Sequence, residues 1–178
     1  SFSQHGQSLA VIAGLRVPDV AKWADAAANG LAPATIYFQH YLFEALGRAG
    51  RGDLVLGKLG MWRGLVTQGF KTPVESPEPA RSDCHAWGAH PVFHLHATVA
   101  GIRPTAPGFK QVRIAPQPGK LTEIASDLPH PRGTLRLRAK FTAGKVEATV
   151  DLPPATTGVF VWGGRETALR PGEQTVRL

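Results

Sequence analysis

The sequence predicts an α+β chain in two parts, helical over residues 1–103 and an antiparallel β-sandwich over residues 104–178. Two observations carry this. Apolar residues recur at steps of three and four in the first part and at steps of two in the second. Between them stands Pro104-Thr105-Ala106-Pro107-Gly108, too rich in Pro and Gly to continue either pattern.

In the helical part, Gln7-Ser8-Leu9-Ala10-Val11-Ile12-Ala13 is a short apolar stretch stopped by Gly14. Asp19 opens a second helix, running through Trp23 to Ala28 with Gly30 as its stop. Pro33 suits the first turn of a third, which carries Tyr37, Phe38, Tyr41, Leu42 and Leu46 to Gly50. Val55, Leu59, Trp62 and Val66 line one face of a fourth, ended by Gly69. Beyond the loop 70–81, Ser82 can cap a fifth helix, and Pro91 is expected to kink or restart it before Gly101. Residues 33–49 are apolar over a wide arc, as in a helix packed on more than one side. This half is therefore expected to be the end of a larger double-layered helical array, with the true N-terminus outside the sequence.

In the second part, Leu135, Leu137, Ala139 and Phe141 alternate with Arg136, Arg138 and Lys140. Thr142-Ala143-Gly144 then leads into Val146, Ala148, Val150 and Leu152, alternating with Lys145, Glu147, Thr149 and Asp151. This is a hairpin with one buried face. Val112 with Ile114, Val159 with Val161, and Val176 with Leu178 mark further short strands between Pro/Gly-rich turns, the spacing of a sandwich. Trp162, beside Gly163-Gly164, reads as a packing residue at a turn; a sugar-binding role would call for more aromatic and amide side chains.

Composition excludes several classes of function. No run of about 18 apolar residues exists, so no membrane-spanning helix is expected. The net charge of +7 is spread along the chain rather than gathered in a stripe, so no nucleic-acid partner is expected. Cys84 is the single cysteine, which rules out an internal disulfide. The first residues lack the basic and apolar regions of a signal peptide, and location stays open among periplasmic, secreted and cytoplasmic. No repeat of 20–50 residues stands out.

The densest polar stretch runs from Thr72 to Pro91 and holds Glu75, Glu78, Asp83, Arg81, His85, His90 and Trp87, stiffened by Pro73, Pro77 and Pro79. Long rigid polar connections often carry function, although a solvated surface loop has the same composition. His90 and His94 are four apart, with His96 nearby, but no third ligand at a sensible spacing is evident and no metal is expected. Cys84 and His85 are adjacent and point apart on a helix, so the thiol is expected to be a buried structural one. No Gly-rich phosphate loop follows a strand, and no cofactor is expected. Carbohydrate chemistry fits the residue types: a carboxylate can activate water, His and Arg can bond sugar hydroxyls, and Trp can pack on a pyranose ring.

The run Thr72-Pro73-Val74-Glu75-Ser76-Pro77-Glu78-Pro79-Ala80-Arg81-Ser82-Asp83-Cys84-His85-Ala86-Trp87-Gly88-Ala89-His90-Pro91 resembles the last active-site segment of bacterial α-L-rhamnosidases of glycoside hydrolase family 78. Gly101-Ile102-Arg103-Pro104, Pro107-Gly108-Phe109 and Val112-Arg113-Ile114-Ala115-Pro116 resemble that family's passage into its C-terminal β-sandwich, and Ser3-Gln4-His5-Gly6-Gln7-Ser8-Leu9-Ala10 is similar to a helix start in its catalytic domain. The resemblance implies an (α/α)6 barrel ending within residues 1–103 and an inverting hydrolase of rhamnose-containing glycosides or polysaccharides. It implies Glu75 as general base and His85 as a rhamnose ligand, with Trp87, Arg81 and Ser82 as supporting residues. The family's general acid lies in an earlier part of the barrel that no segment here matches. The piece is therefore expected to be inactive without the N-terminal part of the enzyme. The alternatives are a non-catalytic carbohydrate-binding or scaffolding protein, or a related (α/α)6 hydrolase of another sugar. The β part is expected to brace the barrel.

Overall fold

The computed structural model describes every residue except Ser1, Arg16, Val17, Glu78 and Ala80. The chain forms two compact units, residues 1–94 and 95–178. It is α+β, the first unit helical and the second built on sheets.

The first unit carries α1 (Gln4–Ile12), α2 (Val20–Ala24), α3 (Gln39–Arg48), α4 (Gly52–Lys58), α5 (Gly60–Thr67) and α6 (His90–His94). Ser3 caps α1, its Oγ accepting from the Gly6 N–H at 3.2 Å, so the helix begins three residues earlier than its apolar run. Gln4 is buried, and its amide ties three strands of backbone together. It donates to the carbonyls of Trp23 and Ala24 and accepts from the Ala34 N–H. The core gathers Trp23, Leu42, Phe43, Leu46 and Val55, with Val11, Ile12, Phe38 and Trp62 packed around it.

Four expectations change here, the first being that the second helix ends at Ala24, with Ala28 in a separate 3₁₀ turn at Ala27–Asn29. The third helix starts at Gln39 rather than at Pro33, because Thr35 accepts the Phe38 N–H and residues 36–38 form a separate turn. The fourth helix is two helices, broken at Leu59, so Val66 falls off the buried face and is 71% exposed. In place of a fifth helix capped by Ser82, a 3₁₀ turn at Ala86–Ala89 leads into the short α6.

The second unit opens with a π-helical turn, Leu95–Val99, which the Arg103 side chain ties down. Arg103 Nε donates to Ala97 O at 2.9 Å, and its Nη2 reaches the Thr98 hydroxyl at 3.3 Å. Eight strands follow: β1 (Ile102–Pro104), β2 (Gln111–Ile114), β3 (Glu123–His130), β4 (Gly133–Thr142), β5 (Lys145–Leu152), β6 (Thr157–Trp162), β7 (Arg165–Leu169) and β8 (Gly172–Arg177). They form two four-stranded sheets in the orders β1-β2-β6-β7 and β3-β4-β5-β8. The alternation in β4 and β5 sends Leu135, Leu137, Ala139, Val146, Ala148 and Val150 inward, where Ile114 and Phe160 of the other sheet are also buried.

The β4–β5 hairpin closes at Thr142↔Lys145, with both loop residues at positive φ, Ala143 at 47° and Gly144 at 81°. Those are the dihedrals a two-residue turn needs to follow the strand twist. All pairings are antiparallel but one. β2 runs parallel to β6, from Gln111↔Thr157 to Ile114↔Phe160, which corrects the expectation of a wholly antiparallel sandwich. Trp162 ends β6 rather than sitting in the turn; its indole N–H donates to Gly144 O at 2.7 Å and its ring lies 5.0 Å from Phe141. The outward cations of the second sheet meet carboxylates across strands: Arg136 with Asp151, Arg138 with Asp127 and Arg177 with Glu147. Arg138 thereby holds the Asp127 carboxyl below the usual carboxylate range.

Candidate active-site cleft

The polar stretch 72–91 is a closed loop. The Glu75 N–H donates to Ser82 O at 3.0 Å and the His85 N–H to Pro73 O at 2.7 Å, while the Thr72 hydroxyl donates to Asp83 O. Val74, 1% exposed, pins the loop to a small core with Ile36 and Leu65. On its far side the 3₁₀ turn is held by Trp62, whose indole N–H donates to Gly88 O at 2.7 Å. Gly88 fits because it lacks a Cβ, which would stand 2.8 Å from Val74 O and 3.0 Å from Pro73 Cβ. Gly88→Ala is expected to push the loop off its seat and lower stability by about 1–3 kcal/mol. A fall in Tm with a changed Trp fluorescence would show it.

The loop brings Glu75, Ser76, Pro77, Arg81, His85 and Trp87 around an open cleft of ≈ 590 Å³, whose opposite wall is Thr35, Ile36 and Tyr37. Glu75 is the one carboxylate among the described residues lining it. Its side chain is 24% exposed and held by Arg81 in a two-point ion pair, Arg81 Nε to Oε2 at 2.8 Å and Nη2 to Oε1. Arg81 itself is 82% exposed, so the fork can swing away and leave a carboxylate oxygen to accept a proton. The Trp87 ring, 62% exposed, makes an apolar plate between His85, at 5.8 Å and 84°, and Tyr37, at 4.9 Å. The Tyr37 hydroxyl lies 3.3 Å from that of Tyr41, and this bond raises the Tyr37 pKa.

Four of the five residues singled out in sequence, Glu75, Arg81, His85 and Trp87, line this cleft. Ser82 does not; it contributes its backbone carbonyl to the Glu75 N–H. Asp83 is exposed and away from the lining, Cys84 is exposed in the loop before the 3₁₀ turn rather than buried on a helix, and Glu78 lies outside the described residues. The wall 35–37 was not anticipated, because Tyr37 reads as part of a helix face. The signal available was Thr35, a helix-capping type two residues beyond Pro33.

Behind the cleft, α6 and the first turn of α3 bring together His40, His90 and His94. The third imidazole that sequence spacing failed to supply thus comes from 54 residues before His94, whereas His96 bonds Ser126 Oγ at 2.8 Å instead. Burial pushes the His90 pKa down to about 4, so the ring is neutral.

Residues 101–177 match the family model described as the bacterial alpha-L-rhamnosidase C-terminal domain. No curated protein matches the chain. Its fold is similar to that of a GH78 rhamnosidase of Bacillus sp. GL1, with 24% identity, a TM-score of 0.78, and 90% of this chain against 19% of that one covered. It is similar to an α-L-rhamnosidase from Aspergillus terreus, with 20% identity, a TM-score of 0.78 and coverage of 99% and 24%. A Streptomyces avermitilis α-L-rhamnosidase complexed with L-rhamnose gives 21%, 0.75, and coverage of 98% and 21%. The chain therefore spans about a fifth to a quarter of the length of these solved relatives. By sequence over its strand-rich part and by fold over nearly all its length, the chain resembles the C-terminal part of the α-L-rhamnosidases of glycoside hydrolase family 78.

Proposed function

We propose that the chain is part of an inverting glycoside hydrolase that removes terminal α-L-rhamnose, contributing the general base Glu75 and the sugar ligand His85. The observation that carries this reading is one cleft that brings together the Glu75 carboxylate, the His85 imidazole and the exposed Trp87 indole. Residues 1–103 then form the last helices of an (α/α)6 barrel, and 104–178 a C-terminal β-sandwich domain. Exposed Val92 and Phe93 on α6 and Val66 on α5 are apolar faces that the earlier barrel helices would cover.

Inversion needs two carboxyl groups. The base takes a proton from water as that water attacks the anomeric carbon, and an acid on the other face protonates the leaving oxygen. The two stand roughly 6.5–9.5 Å apart to admit the water. Glu75 suits the base, because its two-point pair with Arg81 orients the carboxylate until substrate arrives. His85 offers a ring N–H to a sugar hydroxyl, and Trp87 a flat face for the pyranose. The acid, in this reading, is supplied by a part of the enzyme outside these 178 residues.

The expected result is that the longer protein hydrolyses an aryl α-L-rhamnoside, with the β-anomer as the first product by NMR, while the 178-residue chain releases no phenol. Retention of configuration, or turnover by this chain alone, would refute the assignment. Trp162 reads as a packing residue of the sandwich rather than a sugar platform, because its N–H meets Gly144 O and its ring lies against Phe141.

A further inference from the structure

We propose that His40, His90 and His94 form a binding site for a divalent transition-metal ion, Zn²⁺ by preference, that staples α6 to α3 behind the cleft. This rests on the histidine geometry alone and is independent of the proposed hydrolase activity. One ring nitrogen from each residue lies within 4.8 Å of the others. His94 Nε2 and His40 Nδ1 are 3.1 Å apart, close to the roughly 3.3 Å that two Zn–N bonds of about 2.0–2.1 Å subtend in a tetrahedron. The i, i+4 spacing of His90 and His94 puts both on one side of α6.

His90 supplies the second argument. Its Nε2 is 3.0 Å from the Ile36 carbonyl, which can only accept, so Nε2 carries the hydrogen and Nδ1 keeps its lone pair. That Nδ1 is buried and has no hydrogen-bond partner. A ring whose far N–H is fixed by a backbone carbonyl and whose near nitrogen is an unused buried lone pair has the arrangement of a metal-binding histidine. His94 is 0% exposed, and the rings of Phe43 and Trp62 stand 5.3 and 5.2 Å from His90, giving the group a dry aromatic wall. Neutral imidazoles select zinc, copper and nickel over calcium or magnesium. No carboxylate or thiolate joins the group among the described residues, so solvent would take the fourth position.

The same Ile36 lines the cleft, so the ion would stiffen the wall facing Glu75. The test is titration of the chelator-stripped chain with Zn²⁺, followed by X-ray absorption at the zinc edge. The expected result is one ion per chain, three imidazole ligands at about 2.0 Å, and a raised Tm. His94→Phe should weaken binding on the order of 100-fold, while His130→Gln, outside the group, should leave it unchanged. Should His94→Phe fail to fold, the ligand count on the unmutated chain decides alone. Absence of stoichiometric uptake, fewer than three imidazoles on the ion, or undiminished uptake by His94→Phe would overturn the proposal.

Discussion

In a longer protein that supplies the acid, Glu75→Gln is expected to lower kcat by about 10²- to 10⁴-fold with KM little changed. The amide keeps the shape of the side chain and can still accept from Arg81, so the loop closed by Glu75–Ser82 and His85–Pro73 should hold and Tm should not move. What is lost is the ability to take a proton from water. Azide, a nucleophile that needs no deprotonation, should therefore restore turnover and yield an inverted rhamnosyl azide. A mild loss would instead move the base to Asp83 or Glu78. Asp83 is the weaker alternative on position, being exposed and not part of the cleft lining.

The largest effect on stability is expected at Gly101. It sits at φ 72°, a conformation that costs a residue with a Cβ about 1–2 kcal/mol. A Cβ there would lie 2.0 Å from Ala115 O and 2.6 Å from Pro116 N, both backbone atoms that cannot rotate aside. The Ala115 N–H donates to Gly101 O at 3.0 Å, so relieving the clash would also disturb the start of the β1–β2 pairing. Gly101→Ala is expected to destabilise the second unit by about 2–5 kcal/mol, measured as a fall in denaturant midpoint. A loss below 1 kcal/mol would mean that the β1–β2 connection is loosely held.

The β4–β5 hairpin was legible from sequence because its information is local: period-two apolar residues flank Ala143-Gly144, and the two-residue turn sets the register. β3 was not, because two of its inward positions are polar. Ser126 and His130 are buried there only because His96 bonds the first, and the second donates to Phe109 O while accepting the Arg132 N–H. β7, Arg165–Leu169, has a single buried residue and so no visible alternation. The parallel pairing of β2 with β6 joins segments more than forty residues apart and leaves no pattern in either one.

The candidate site divides along the same line. The change from helices to strands, the main hairpin, and the loop in which Glu75, Arg81, His85 and Trp87 stand close together each depend on neighbours along the chain, and are visible there. That Thr35–Tyr37 form the opposite wall of the cleft, and that His40 completes a histidine cluster with His90 and His94, emerges only on folding. Those meetings depend on how α3 packs against α6 and its preceding turn. Such packing is set by the shapes of buried Phe43, Leu46 and Val74, and shape complementarity between distant segments has no one-dimensional signature.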